Sequence, residues 1–422
     1  VREELVFVGI CDIAGHVRGK GFPLSELPSR LKKGVGWTHS NLMQSAFGTI
    51  FESPFGTAGD LMIVPDPTAE VRVAFDTDSA VEHFFLGDVR NTDGSPWECC
   101  PRDFARRGLA ALRAAAGVSL LSAFEQEFVY TGAADLPAHA YSLAAWRGQG
   151  TFGETLVAAL RAAGLSPDSF LPEYGERQFE MTVAPAEGIA AADHAVIARE
   201  MARSAAFRHG HRAIFSPIPW HDGLGNGVHV HMSLRDTAGA PASHAPGEPM
   251  GLSPVMRHFC AGILEHLPSI VALTAPSPVS YLRLRPNRWA PTAIDIVQQD
   301  RGASLRVCPV FAPGDPADVA RQFNVEFRTA DASASPYMVV GALAFAGADG
   351  IARQLDLPSA DRHPPLPASL PDALDLLAAS AAARRWIGSV FLDAYLQHKR
   401  AELVHVKDLS TAELCARYAA VY

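Results

Sequence analysis

Residues 120–130 read Leu120-Leu121-Ser122-Ala123-Phe124-Glu125-Gln126-Glu127-Phe128-Val129-Tyr130, an apolar run that carries two carboxylates two positions apart. An extended chain sends alternate side chains to opposite faces, so Glu125 and Glu127 share one face while Phe124 and Phe128 share the other. Carboxylates held side by side repel unless cations or protons stand between them, which makes the pair a metal cradle or an acid/base pair. The competing interpretation is a solvated edge strand with ordinary surface glutamates. The remainder of the chain decides between them.

A chain of 422 residues accommodates one large and one smaller domain, and the Gly-, Pro- and Asp-containing stretch 86–101 is the natural boundary, giving domains 1–95 and 96–422. The formal charge of -9, with no long basic run, excludes a broad nucleic-acid surface but leaves room for local arginines that hold a small anion. Six cysteines lie scattered without a Cys-x-x-Cys pair and read as free thiols of a reducing, cytoplasmic compartment. No apolar run reaches the roughly 18 to 20 residues that span a bilayer, and the first residues lack a signal-peptide pattern, so no membrane partner is expected.

Working outward toward the N-terminus, Pro101 opens a helix that Gly117 stops. Residues 3–11 and a second strand after the turn at 12–19 begin a small sheet, residues 34–59 form a long glycine-containing loop, and 60–67 and 71–75 read as two short strands. Toward the C-terminus, one amphipathic helix is expected within 141–163. Two extended arms over 170–183 then surround a turn at Gly175 that brings Glu173 and Glu180 together. A helix over 189–209, a strand at 213–215, a Gly-rich approach over 222–227 and a strand over 228–234 follow. Beyond the exposed loop 236–251 come a helix over 254–273, bent or interrupted at Pro268, and an arginine-rich extended region over 281–306. The alternating strand 323–328, an apolar helix over 336–351, a proline-rich connection over 356–369 and helical segments over 370–404 and 411–420 complete the chain.

His229 and His231 share a strand face, as do Glu326 and Arg328. Several strands whose non-core faces carry ionisable groups fit a curled sheet around a cation-loaded funnel. His-x-His alone is poor support for zinc, whereas five glutamates and one histidine suit the harder cations Mg2+ or Mn2+. Arginines nearby match phosphate and carboxylate bidentately, so the combination points to metal-assisted phosphoryl transfer.

The strings Phe124-Glu125-Gln126-Glu127-Phe128, Gln178-Phe179-Glu180, Gly227-Val228-His229-Val230-His231-Met232-Ser233-Leu234 and Asn324-Val325-Glu326-Phe327-Arg328 resemble the glutamine synthetase superfamily. So do Asp60-Leu61-Met62-Ile63-Val64-Pro65-Asp66-Pro67 and Pro336-Tyr337, and the resemblance runs in order through nearly the whole chain. It implies an α+β fold: a small, beta-grasp-like N-terminal sheet domain and a large catalytic domain built on a curved antiparallel sheet flanked by helices. It also implies hexameric rings, commonly stacked as a dodecamer, with active sites between subunits. The implied reaction joins the side-chain carboxylate of glutamate to an amine through γ-glutamyl phosphate made from ATP, with two or three Mg2+ or Mn2+ ions.

By position, the resemblance makes Glu127, Glu173 and Glu180 ligands of the metal beside glutamate, and Glu125, His229 and Glu326 ligands of the metal beside the ATP phosphates. Arg283 resembles the arginine that engages glutamate, Arg301 and Arg306 resemble phosphate and nucleotide residues, and Arg328 matches another substrate or phosphate arginine. Gly225 matches the backbone position beside the bound amino acid, and His231 and Ser233 match nucleotide-side contacts.

Departures from the family pattern bear on the acceptor. Ammonium-using members carry an aspartate where Thr38 stands and a glutamate where Trp289 stands, before Ala290-Pro291. A pocket with threonine and an indole in place of two carboxylates binds compact ammonium poorly and accommodates an organic amine, a monoamine rather than a polyamine since no replacement acidic pair is evident. Leu224 occupies the place of a glutamate-contacting asparagine, with Asn226 as a compensating amide, and the string at 215–219 lacks the usual lysine. No tyrosine occurs in 356–369, so the regulatory tyrosine loop of some members has no counterpart. The expected function is therefore a glutamate–amine ligase. The alternatives are glutamine synthetase itself or a polyamine-specific glutamyl ligase, and, in a different class, a catalytically weak structural or regulatory homologue.

Overall fold

The computed structural model describes residues 2–76, 78–136, 140–359 and 363–422. Near the N-terminus, β1 (Leu5–Cys11) and β2 (Val17–Pro23) form an antiparallel pair whose turn is tied by Asp12 Oδ1, which accepts from the Ala14 and His16 N–H groups at 2.9 and 3.0 Å. After α1 (Leu27–Lys33) come β3 (Val35–Thr38), β4 (Asp60–Val73) and β5 (Glu82–Asn91). The sheet order is β2-β1-β5-β4-β3, with β1 and β5 parallel. The two strands expected over 60–75 are one strand, whose register shifts between Pro65 and Glu70. Pro65 and Pro67 cannot donate to a ladder, and Asp66 accepts from the Thr68 N–H and hydroxyl at 3.0 and 2.7 Å, so the chain bulges at this point and resumes.

The larger part begins with α2 (Pro101–Ala116), which has proline in its first turn and Gly117 in the left-handed conformation at its end. There follow β6 (Ser119–Tyr130), α3 (Leu143–Gly148), α4 (Phe152–Ala162), β7 (Pro167–Pro172), β8 (Gln178–Val183), β9 (Ala186–Glu187) and α5 (Ile189–Arg208). The helix expected within 141–163 is two helices, because the chain turns at Gly150 with φ 64°. Next come β10 (Ala213–Ile214), β11 (Val228–Arg235), α6 (Pro254–Thr274), α7 (Ser280–Arg283), β12 (Ile296–Gln298), β13 (Leu305–Val307), α8 (Pro316–Gln322), β14 (Val325–Ala330) and α9 (Pro336–Arg353). α6 continues past Pro268, whose missing N–H is tolerated in a helix buried on both sides of it.

Residues 370–404, expected as one segment, divide into α10 (Leu370–Ala379), α11 (Ala381–Ile387) and α12 (Ser389–Val406), before α13 (Thr411–Ala419). Ser380 ends α10 and caps α11 by accepting from Ala383 N–H, and Gly388 turns the chain at φ 92°.

Among the described residues the large curved sheet runs β12-β13-β14-β11-β6-β8-β7, with β9 and β10 also pairing with β6. One face buries Phe124, Phe128, Val230, Met232 and Phe327 in the main core. Helices α2 and α9 cross closely in that core, since a Cβ on Gly108 would stand only 2.7 Å from the Gly341 carbonyl oxygen. The small sheet is tied to the helices of the larger part through buried Arg102 of α2, which donates to Asp66 (2.8 Å) and Asp88 (3.0 Å) of that sheet and to Asp193 (3.0 and 2.8 Å) of α5. Tyr337 of α9 also donates to Asp193, at 2.6 Å. No helix among the described residues is long and apolar enough to cross a membrane.

Candidate active site

The register of four adjacent strands gathers the ionisable groups. On β6, Glu125 stands opposite His229 of β11, and Glu127 stands opposite Glu180 of β8. On the next strand out, Glu326 of β14 stands opposite His231 of β11. Directly opposed residues lie close enough for their side chains to meet, so the period-two pattern of each strand converts into one cluster on the non-core face. Donor atoms of Glu125, Glu180 and His229 all lie within 4.8 Å of one another, as do those of Glu125, His231 and Glu326. Glu125 belongs to both trios: its Oε1 is 2.8 Å from His229 Nδ1 and its Oε2 is 3.1 Å from His231 Nε2.

The electrostatics fit a cation-binding donor set. Burial, reinforced by Glu173 and Glu125, pushes the Glu127 carboxyl up to about 8 although Gly227 N–H donates to it at 2.7 Å. Burial and the neighbouring glutamates push Glu180 well above the ordinary range, and burial raises Glu173 as well. Glu125 moves the other way: burial opposes its charge, but His229 and His231 hold it well below the usual value. Glu326 is held at about 2, against burial, by His229 and Arg328. Carboxylates this crowded carry their full charge together only when cations stand among them, so the residues present suit divalent ions.

Within these trios the grouping differs from the sequence-based sets. His231, expected on the nucleotide side, joins Glu125 and Glu326, while Glu180 joins Glu125 and His229. Glu127 and Glu173 line a small cavity of about 50 Å³ together with His229, Gly225, Arg283 and Trp289. Glu173 accepts from the Tyr141 phenol at 2.5 Å, and Glu326 accepts from Arg306 Nη1 at 2.8 Å and from Arg328.

Arg283 is buried and donates to Ala330 O at 2.7 Å. It passes so close to Gly225 that a Cβ there would stand 2.5 Å from Arg283 Cγ and 2.8 Å from Pro217 O, so only glycine fits. Gln178 Nε2 donates to Gly225 O at 2.8 Å and Asn226 Oδ1 at 2.9 Å, fixing this turn. Asn226 is fully buried and donates to Ser216 O at 2.9 Å, so it is a structural tie and not the compensating amide; Leu224 itself lines the small cavity.

His231 and Ser233 line a second cavity of about 420 Å³ together with Glu125, Glu180 and Asn324. Arg301 is exposed and lines a third, more open cavity of about 700 Å³ beside Trp289. Thr38 is not brought to this region. It is exposed at the end of edge strand β3, 2.8 Å from Ser40 Oγ, and no described residue lining the three cavities comes from the first hundred positions.

Sequence reasoning missed Tyr141, Tyr174, Gln178 and Cys308. The Tyr174 ring stacks on Trp289 with centroids 5.7 Å apart and planes at 11°, and Tyr141 meets Tyr174 edge-on at 5.0 Å. Cys308 Sγ lies 3.7 Å from His231 Nδ1. Tyr174 and Gln178 stand within the turn between Glu173 and Glu180, which was the available signal; Tyr141 and Cys308 carry none.

Residues 98–418 match the family described as glutamine synthetase, catalytic domain, and residues 2–97 match the glutamine synthetase N-terminal domain. A gamma-glutamylpolyamine synthetase of Streptomyces coelicolor is 31% identical over 446 aligned positions, covering 98% of this chain and 92% of that protein. A gamma-glutamylputrescine synthetase of Escherichia coli is 28% identical over 443 positions, covering 97% and 90%. The crystal structure of a novel glutamine synthase homolog superposes with a TM-score of 0.95 at 41% identity, covering 100% of this chain and 99% of that one.

Proposed function

Because this chain belongs to the glutamine synthetase family, we propose that it is an ATP-dependent carbon–nitrogen ligase joining the γ-carboxylate of glutamate to an organic amine through γ-glutamyl phosphate. The observation that carries this reading is the small cavity in which Glu127, Glu173 and Arg283 face Trp289, an indole where ammonium-using relatives would offer a carboxylate. The relatives named for polyamine and putrescine as substrates support an amine acceptor.

In this reading Glu127, Glu173 and Glu180 hold one Mg2+ or Mn2+ ion and Glu125, His229 and Glu326 another. Such ions, two or three in all, neutralise phosphate oxygens when bound. Buried Arg283 grips the glutamate substrate, and the bare backbone at Gly225 lets that substrate approach. His231 and Ser233 face ATP across the larger enclosed cavity, while Arg301, Arg306 and Arg328 supply positive charge for the moving phosphoryl group. Glu326, gripped by Arg306 and Arg328, orients both guanidiniums.

In this reading a neighbouring subunit of a hexameric ring, stacked as a dodecamer, delivers Thr38 to the acceptor pocket, since the chain's own Thr38 lies outside its cavities. Six buried free cysteines suit the reducing cytoplasm. A diamine acceptor is the second reading, favoured by Asp300 in the open cavity beside Trp289.

ADP release measured with Mg2+ or Mn2+, glutamate and a panel of amines, with mass spectrometry of the amide, tests the proposal. Organic amines should exceed ammonium in kcat/KM. Ammonium outcompeting the whole panel would replace the reading by glutamine synthetase, and no ADP release with any acceptor would favour a non-catalytic homologue.

A further inference from the structure

Trp289 is shared by two cavities of different character. On its inner side is the narrow 50 Å³ space beside Glu127, Glu173 and Arg283. On its outer side is the 700 Å³ space lined by Pro286, Gln298 and Asp300. Trp289 is 65% exposed and Tyr174 50% exposed, and their rings stack nearly parallel at 5.7 Å; both line the inner space, and of the two Trp289 alone lines the outer one. The Trp289 backbone adopts φ 54°, a left-handed conformation that non-glycine residues seldom take, and in it the ring meets Tyr174.

Resting on the ligase reading above, we infer that the Tyr174–Trp289 pair selects the acceptor, and that the acceptor is a primary amine bearing an aromatic ring. Its nitrogen occupies the inner space and its ring lies against the indole in the outer one. A flat ring covers the exposed indole by offset stacking, with Tyr174 holding the indole in place, whereas a thin alkyl chain leaves most of it bare. The outer space also lacks the excess negative charge that a second ammonium needs. Asp300, the one carboxylate among the described residues of that lining, shares it with Arg301, so the two formal charges cancel. In the transfer itself the amine lone pair attacks the acyl carbon of γ-glutamyl phosphate. The C–N bond forms, the bond between the acyl carbon and the bridging oxygen breaks, inorganic phosphate leaves with that electron pair, and the nitrogen's extra proton passes to the departing phosphate.

The test compares 2-phenylethylamine, methylamine and 1,4-diaminobutane by amine-dependent ADP release in the full-length protein and in Tyr174→Ala, Trp289→Ala and Trp289→Phe. The wild-type chain should prefer 2-phenylethylamine in kcat/KM. The ratio of 2-phenylethylamine to methylamine should fall about tenfold in Trp289→Ala and about threefold in Tyr174→Ala, and recover in Trp289→Phe. Both rings are largely solvent-facing, so thermal midpoints near wild type separate selectivity from folding. A wild-type preference for the diamine, or a ratio unmoved by both alanine variants, would overturn the inference while leaving the ligase reading in place. Absence of turnover with every amine would overturn that reading and this one with it.

Discussion

Asp193 receives the Arg102 guanidinium through both carboxylate oxygens, at 3.0 and 2.8 Å, with Tyr337 donating a third hydrogen bond to it at 2.6 Å. Arg102 also serves Asp66 and Asp88, so one buried cation holds three carboxylates from two strands of the small sheet and a helix. Removing it leaves Asp193 buried without its counter-charge, while Asp66 and Asp88 keep Arg106; losing one partner of a buried pair costs about 3–5 kcal/mol.

Arg102→Ala is therefore expected to lower the thermal unfolding midpoint strongly, and Asp193→Asn to do so less, since the amide still accepts from arginine. Differential scanning calorimetry decides this. An Arg102→Ala protein that melts with the wild type would show that the network carries no stability.

The double role of Glu125 predicts a metal phenotype. Glu125→Gln takes one donor from both trios and is expected to weaken Mn2+ binding at two classes of site, each by at least about tenfold, as read by titration calorimetry. Glu127→Gln should impair glutamate binding and acyl phosphate formation. Unchanged metal dependence and turnover in Glu127→Gln would remove it from the proposed ligand set.

Acceptor choice gives a gain-of-function test. Thr38→Asp combined with Trp289→Glu restores the two carboxylates that the chain lacks relative to ammonium-using relatives. The double variant is expected to raise ammonium use relative to an organic amine, measured as the ratio of kcat/KM values. Thr38 lies outside the chain's own cavities, so mixed oligomers carrying the two changes on separate chains should show the same gain at their shared sites.

A fourth expectation concerns acid. His398 is buried beside Lys399, Glu402 and Arg18, its Nε2 3.3 Å from Gln44 O, and burial followed by Lys399 pulls it down to about 4. The unfolded imidazole titrates near 6.5, so between about pH 6.5 and 4 the unfolded chain binds the proton first. Stability intact above that window is lost as pH falls through it, by about 3 kcal/mol from this group. Glu402, held low by Lys399 and His398 in spite of burial, adds to the loss at the acid end. In denaturant unfolding, His398→Gln should flatten the pH dependence across this window; an unchanged slope would exclude His398 as its source.

Much of the centre was legible in the sequence because it is written in strands. Glu125/Glu127, His229/His231 and Glu326/Arg328 alternate with buried apolar residues, and a period of two assigns faces without further information. What pairing adds, and spacing does not disclose, is the register that makes Glu125 common to two trios. The Pro65-Asp66-Pro67 string reads as a turn because two prolines forbid a regular ladder, yet the strand absorbs them as a bulge. Asp66 and Tyr337, which carried part of the family resemblance, meet at the Arg102 network, where those strings tie the small sheet to the helices of the larger part. Tyr174 and Trp289 are far apart in sequence, and nothing in either neighbourhood announces a stacked pair.

Because Glu125 belongs to both donor trios, that part of the molecule cannot be retuned piecemeal. A change that suits one trio is felt at once in the other, which leaves little freedom for gradual divergence there. The aromatic rim is under no such constraint. Its rings stand half in solvent on two separate loops, so a lineage could exchange them one at a time and acquire new acceptors while the phosphorylating half of the enzyme stays as it is.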